Sequence, residues 1–540
     1  MFFETTLTQE RIDASNGAGL FANRLLNDWF DEAVARDPGR TAFVDAHGRL
    51  TYAELHALVE RTARAFLALG IRNGDVVTVQ LPNWHEFGVL ALALEKIGAV
   101  INPVAPIFRE RELRAILSLA RPRVVVAPAS FRGWDYPPMY AGILPDVRSV
   151  EHLIVCGEGD VGSGIPWQPF LDGGSRIDAA LLAFMRPSPD QVVQLIFTSG
   201  TTGEPKGVMH TPNTQSSGVR HLLPALDLGG REVCHMASTL GHQTGFLYGF
   251  HLPIHLGATL VYQEVWEPER FLDLVESEGI TYTMGATPFL ADTVRTVKAS
   301  QRDVSTLRTF ICGGAPIPQP LAEEAGRVLP CRVAPVWGMT EVGIVTTVFR
   351  SDPEAKISTS DGRALPGMEV AVRDGDGRRS PIGEEGELFT RGIAAFAGYV
   401  QGRRFTQGYY EADDWFSTGD RARMDADGFI RISGRSKDLV IRGGENVPVK
   451  EIEDVLIRHP KVRNVAVVAA PHPRLGEIGC ACIVPEGAEA PTLAELAEFL
   501  ERERVTRQFW PEKLVVLPEF PMTPSGKVQK FRLRELAAND

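Results

Sequence analysis

The ten residues Thr198-Ser-Gly-Thr-Thr-Gly-Glu-Pro-Lys-Gly207 concentrate groups that suit a phosphate. Gly200, Gly203 and Gly207 permit positive φ and close backbone approach, while the hydroxyls of Thr198, Ser199, Thr201 and Thr202 can donate hydrogen bonds. Lys206 adds charge. A Walker A loop needs Gly before the lysine and Ser or Thr after it; here Pro205 precedes Lys206 and Gly207 follows, which excludes the ordinary P-loop. A flexible surface loop is the bland alternative for such a composition. Residues 191–197, Gln-Val-Val-Gln-Leu-Ile-Phe, read as a buried strand, so the loop is expected to leave a strand end, where α/β proteins commonly place ligands.

The elements that must carry this loop alternate in type. Leu55, Leu58, Val59, Phe66 and Leu69 fall at helical spacing over 51–69, Thr51 with Glu54 forms a capping box, and Gly70 closes the helix. A strand (76–81), a helix (84–97) and a strand (99–104) follow, and the alternation returns at 110–127 and 271–284. This predicts parallel-type sheets with packed helices. After residue 389 short strands and turns dominate, with Asp425-Ala-Asp-Gly428 a hairpin turn. From 449 a helix–strand–strand–helix order predicts a small α+β domain, giving a large domain over 1–435 and a small one over 436–540.

A chain of 540 residues exceeds one compact core. Its net charge of −12 disfavours a nucleic-acid footprint. The amino terminus lacks a signal-peptide core, and the apolar run 87–104 is broken by Glu95 and Lys96, which predicts a core helix and strand rather than a membrane span. A cytoplasmic protein is expected. The six cysteines form neither a disulfide framework nor a zinc pattern, so core packing is expected of all six.

Further motifs follow in order. Gly313-Gly314-Ala315-Pro316 succeeds an apolar strand, and Trp337-Gly338-Met339-Thr340-Glu341 joins a ring able to stack, a hydroxyl, and a carboxylate suited to Mg²⁺. Ser417-Thr418-Gly419-Asp420 offers a carboxylate for vicinal hydroxyls, and Gly434-Arg435-Ser436-Lys437-Asp438 a guanidinium. Gly443-Gly444 and Pro524-Ser525-Gly526-Lys527 complete the series. Taken singly these are tight turns, a buried Trp with a surface Glu, or solvated lysines.

Together, and in this order, they resemble the adenylate-forming superfamily: acyl-CoA synthetases, adenylation domains and luciferases. The resemblance spans nearly the whole chain, the first 180 residues matching in pattern more than in motif. It implies that residues 198–206 hold the β- and γ-phosphates of ATP and that Gly313, Gly314 and Ala315 line adenine. It also implies that Trp337 stacks on the base, where Tyr is commoner, that Thr340 reaches the α-phosphate, and that Glu341 holds Mg²⁺. Asp420 takes the ribose with Arg435 assisting, Lys437 is a hinge, and Gly443 and Gly444 admit a pantetheine arm. Lys527, on the mobile domain, neutralises charge between the acid carboxylate and the α-phosphate.

The implied reaction makes acyl-AMP and then a thioester. The pocket stretches 238–250, 284–289 and 311–316 contain no Asp or Glu to pair with an amino acid's ammonium, so an uncharged acyl group is expected. No Asp-Ser pair offers a phosphopantetheine site, which favours free coenzyme A. The pocket sequence resembles medium-chain acyl-CoA synthetases and cyclohexanecarboxylate-CoA ligases, with His242 and Phe246 walling the acyl group and Gly313 and Gly338 leaving room for it. The His242-Gln243 pair is also similar to the His-Asn of aryl-acid adenylating enzymes. An aryl-CoA ligase or a stand-alone enzyme loading a carrier protein is therefore the alternative. A luciferase-like oxygenase and a non-catalytic nucleotide-binding regulator are rivals of other classes, and a homodimer is one expected assembly.

Overall fold

The computed structural model describes residues 3–198, 205–314, 317–401, 404–405, 412–435, 440–442, 445–447, 449–472, 475–503, 505, 507–523 and 527–539. Two nine-stranded sheets form its centre. In the first, the strands run Arg363–Ala364, Gly343–Thr347, Arg332–Met339, Thr309–Gly313, Tyr282–Gly285, Val233–Met236, Thr259–Tyr262, Thr41–Asp45 and Gly48–Thr51. Its middle, from Arg332–Met339 to Thr41–Asp45, is parallel, and the flanking pairs are antiparallel. In the second, the parallel strands Val76–Val79, Val100–Pro103, Val124–Pro128 and His152–Cys156 adjoin Gln194–Thr198 and its antiparallel partner Lys206–His210.

The elements form where the pattern predicts them. Helix Tyr52–Ala68 begins at Thr51, whose side chain accepts from the Glu54 amide while the Glu54 carboxylate accepts from the Thr51 amide. Helix His85–Lys96 is buried along nearly its whole length, because it packs on Thr41–Asp45 of one sheet and on Val76–Val79 and Val100–Pro103 of the other. That double burial explains its continuous apolar sequence. Of its two acids, Glu86 lies in the first turn and Glu95, near the other end, accepts from the Asn27 side chain and from the backbone amides of Leu26 and Asn27. Among the described residues no helix is long and apolar enough to cross a membrane. All six cysteines are buried and unbridged.

A four-stranded antiparallel sheet follows: Met368–Arg373, Gly386–Gly392, Phe416–Met424 and Ile430–Arg435, the last two joined by the expected turn at 425–428. The carboxyl-terminal region is a separate α+β unit. Its sheet pairs Val462–His472 antiparallel with Gly476–Pro485, and Lys513–Val516 parallel with the latter, under helices Val449–Leu456, Leu493–Arg502 and Lys530–Asn539. The large α/β region, the β-rich subdomain and the small α+β unit match the predicted fold class.

Candidate active site

Strand Gln194–Thr198 runs antiparallel to Lys206–His210, and Thr198 opposite Lys206 is the last pair before the glycine-rich connection. Ser199, Gly200, Thr201, Thr202 and Gly203 lie outside the described residues. The next strand is Tyr399–Gln401, with Tyr399 opposite Val208, and this register brings the Lys206 ammonium 5.2 Å from the Tyr399 ring centroid. The Tyr399 hydroxyl donates to Glu341 Oε1 at 2.6 Å. A continuous chain of contacts thus runs from the phosphate-type loop to the carboxylate expected to hold Mg²⁺.

Thr340 and Glu341 are buried just beyond strand Arg332–Met339. His210 Nε2 donates to the Thr340 carbonyl at 2.8 Å, which sets its tautomer, and burial pushes its pKa down to about 4. It is a neutral strut. The Glu341 carboxylate, linked through Tyr399 to Lys206, suits Mg²⁺, which binds through one or two carboxylates and completes its octahedron with phosphate oxygens and water.

Gly313 ends the parallel strand Thr309–Gly313, and Gly314 follows at φ +87°, a conformation that favours glycine. A Cβ built on Gly314 would lie 3.1 Å from Lys527 Cε. The lysine of the small domain therefore reaches the carboxyl end of the large sheet. Its loop is shaped locally: the Lys527 amide donates to Thr523 Oγ1, and the Thr523 amide to the Lys527 carbonyl.

Trp337 and Asp420 come from different sheets yet meet, the indole Nε1 donating to Asp420 Oδ2 at 2.8 Å, with both residues buried. The tryptophan thus does something the commoner tyrosine ring would not do in the same way: it holds the carboxylate expected to take the ribose. Arg435 lies opposite Asp420 across the antiparallel pair, which places the two expected ribose residues at one register position.

Of the residues expected to wall the acyl group, His242 is half-buried and Phe246 buried, the Phe246 amide donating to the His242 carbonyl at 2.9 Å. Burial first, and Lys527 second, push the His242 pKa down to about 3, so this imidazole is neutral and within electrostatic reach of the lysine. Between them Gln243 is buried with both amide atoms lacking a hydrogen-bond partner. Residues Thr244–His251 form a π-helix, a rare form often found at functional sites. A Cβ on Gly245 would meet the Thr239 carbonyl oxygen at 2.2 Å, and one on Gly249 would meet Met236 Cγ at 2.3 Å; the wide turn therefore presses its glycines onto its neighbours.

The glycines expected to leave acyl space have another demand on them. A Cβ on Gly313 would meet Val336 Cγ2 at 2.5 Å, and one on Gly338 the Gly343 carbonyl oxygen at 2.1 Å. Adjacent strands fix glycine at both positions. Ala315, Lys437, Gly443, Gly444 and the Arg435 side chain lie outside what the structure describes.

Three supporting residues carried no sequence signal. Tyr399 opens the short strand Tyr399–Gln401, with no motif around it. Tyr248, within the π-helix, accepts from the Ile344 amide at 2.6 Å and so steadies the strand after Glu341. Asn83 donates to the carbonyls of Ser238 and Gln263 and accepts from the Leu240 amide, tying down the segment that leads to His242. Each acts across more than 50 residues of chain, which no local pattern reports.

Residues 30–400 match the AMP-binding enzyme family, and residues 451–527 the AMP-binding enzyme C-terminal domain. The chain is 34% identical over 533 residues to the medium-chain fatty-acid–CoA ligase of Escherichia coli (strain K12), covering 98% of this chain and 93% of that one. It is 32% identical over 531 residues to the salicyl-AMP ligase / salicyl-S-ArCP synthetase of Mycobacterium tuberculosis (strain ATCC 25618 / H37Rv), covering 96% and 92%. Among solved structures, the ATP-bound MatB from Rhodopseudomonas palustris superposes with a TM-score of 0.84 at 27% identity, covering 95% of this chain and 99% of that one. The narrower resemblance to medium-chain and cyclohexanecarboxylate ligases is not singled out, since aliphatic-acid and aryl-acid ligases match at similar identity.

Proposed function

Because this chain belongs to the AMP-binding enzyme family and is an AMP-forming ligase that activates a carboxylic acid with ATP, we propose that its acid is aromatic and that the acyl group passes from acyl-AMP to a thiol. The observation that carries this reading is Gln243, a buried amide with no partner, between His242 and Phe246. A buried amide without partners costs about 1–3 kcal/mol. A hydroxyl or amino substituent on an aryl ring would satisfy it, whereas an alkyl chain would not.

The residues divide the work as follows. In the first half-reaction a carboxylate oxygen of the acid attacks the α-phosphorus of ATP, the bond to the bridging oxygen breaks, and pyrophosphate leaves. Lys527, beside Gly314 and near enough for its charge to act on His242, supplies positive charge where the carboxylate meets the α-phosphate. Thr340 hydrogen-bonds the α-phosphate, Trp337 and Asp420 hold the nucleoside with Arg435, and Lys206 with residues 198–203 holds the β- and γ-phosphates. Glu341 would hold Mg²⁺, which supplies charge neutralisation on the phosphates. In the second half-reaction a thiol attacks the acyl carbonyl and AMP leaves. Turning the 436–540 domain about Lys437 withdraws Lys527 and brings Gly443 and Gly444 forward. The position of Lys527 supports an arrangement suited to the first half-reaction.

A second reading, a medium-chain aliphatic acid, is favoured by the 34% identity to the fatty-acid ligase. One panel separates them: AMP release measured with 2-hydroxybenzoate, benzoate, octanoate and acetate, with coenzyme A and with a phosphopantetheinylated carrier protein, for wild type and Gln243→Leu. The aryl reading expects 2-hydroxybenzoate to lead and Gln243→Leu to lower its kcat/KM roughly tenfold more than that of benzoate. A wild-type optimum at octanoate that Gln243→Leu leaves in place overturns it.

A further inference from the structure

At the other end of the first sheet, with two strands between it and Tyr282–Gly285, the turn after Thr41–Asp45 meets the start of helix His85–Lys96. Asp45, His47, His85 and Glu86 each bring one ligand-type atom there, all within 4.8 Å of one another. No step of the ligase reaction uses them.

The four side chains are not equivalent. Asp45 is saturated: Oδ1 accepts from the amides of His47 and Gly48, and Oδ2 accepts from the His85 amide at 2.6 Å and faces His85 Nδ1 at 2.9 Å. A carboxylate takes its hydrogen from Nδ1–H, so Asp45 fixes the His85 tautomer and leaves the Nε2 lone pair directed elsewhere. That nitrogen faces Glu86 Oε1 at 3.7 Å, and the other Glu86 oxygen faces His47 Nδ1 at 3.4 Å. Both separations are long for hydrogen bonds. A tetrahedron whose centre lies at the usual metal–ligand distance of about 2.1 Å has an edge of about 3.4 Å; the His47–Glu86 separation equals it, and His85 Nε2 lies a few tenths of an ångström further from the other Glu86 oxygen. The Trp84 ring, 4.5 Å from the His47 ring between centroids, backs the site, and its indole nitrogen is held by Glu264.

We propose that His47, His85 and Glu86 bind a divalent transition-metal ion, with Asp45 as the outer carboxylate that orients His85. Two imidazoles and one carboxylate suit Zn²⁺ or Co²⁺ rather than Mg²⁺ or Ca²⁺, and three protein ligands leave a fourth position for water. Glu86 is nearly buried and His47 about one-third exposed, so that position lies toward solvent. A carboxylate behind a ligating imidazole is the usual arrangement for orienting it. The ion would staple the first strand's turn to the central buried helix.

The full chain, stripped with a chelator, is titrated with Zn²⁺ by calorimetry and with Co²⁺ by visible absorption, which is strong for tetrahedral and weak for octahedral cobalt. The expected result is a single saturable site with micromolar or tighter Kd and tetrahedral cobalt colour. His47→Ala should weaken it roughly tenfold or more, and Asp45→Asn about 10- to 100-fold. Zn²⁺ should raise the Tm of wild type and not that of His47→Ala/His85→Ala, whose Mg²⁺-dependent AMP release should match wild type and so report an intact fold. His47 lies on an exposed turn, which keeps the single variant foldable. Absence of saturable binding, octahedral cobalt, or binding unchanged in His47→Ala each overturns the assignment.

Discussion

Replacing Trp337 with phenylalanine keeps an aromatic face but deletes the donor that holds Asp420. The deleted bond is 2.8 Å long and both partners are more than nine-tenths buried, so solvent cannot replace the indole cheaply. A hydrogen bond to a charged group is worth about 1.5–3 kcal/mol, roughly a 10- to 150-fold effect on an equilibrium. If Asp420 accepts from the ribose hydroxyls, the loss falls on ATP and spares a nucleotide without them. The assay is kcat/KM for AMP formation with ATP and with 2′,3′-dideoxy-ATP, for wild type and Trp337→Phe. Any change in stacking touches both nucleotides and cancels in the ratio. The preference for ATP should narrow by roughly tenfold or more. Equal losses for the two nucleotides would refute the role of Trp337 in orienting Asp420.

Lys527→Ala should abolish acyl-AMP formation while leaving conversion of supplied acyl-AMP to thioester near wild type; equal falls in both, with folding intact, would remove it from the adenylation step. Tyr399→Phe keeps the ring beside Lys206 and deletes the donor to Glu341, so the Mg²⁺ concentration for half-maximal adenylation should rise up to about tenfold, and unchanged Mg²⁺ dependence would uncouple the two. His210, His235 and His255, with pKa values pushed by burial to about 4, and His242 and His251, pushed to about 3, are neutral when folded and titrate near 6.5 when unfolded. The unfolded state therefore binds more protons between pH 6.5 and 4, and stability falls on acidification through that window by about 2 kcal/mol per histidine at pH 5. Glu95 and Asp361, raised by burial, and His47 and His85, raised by the carboxylates of Glu86 and Asp45, oppose this but are fewer. Denaturant melts at pH 7 and pH 5 check the sign, and equal or greater stability at pH 5 would contradict it.

What the sequence determined by itself is local or ordered along the chain. The Thr51–Glu54 box, the apolar period of the helix it starts and the hairpin at 425–428 are decided within a few residues. The motif order from Thr198 to Lys527 identified the chemistry, because each motif packs its donors into one turn or strand end. Tertiary structure decided which of those donors meet. Trp337 finds Asp420 across 83 residues and Tyr399 finds Glu341 across 58, meetings made by the packing of one sheet against another. Gly313 and Gly338 read as empty space in the sequence, yet neighbouring strand atoms occupy the direction a side chain would take. The π-helix gave no periodic signal, and its glycines lie pressed on Thr239 and Met236, segments the local sequence does not report. Asp45 and Glu86 likewise meet only because a turn in one sheet and the start of the buried helix are brought together by the fold. Short-range hydrogen bonding and periodicity are encoded residue by residue; the meeting of distant side chains follows only when the sheets pack against one another.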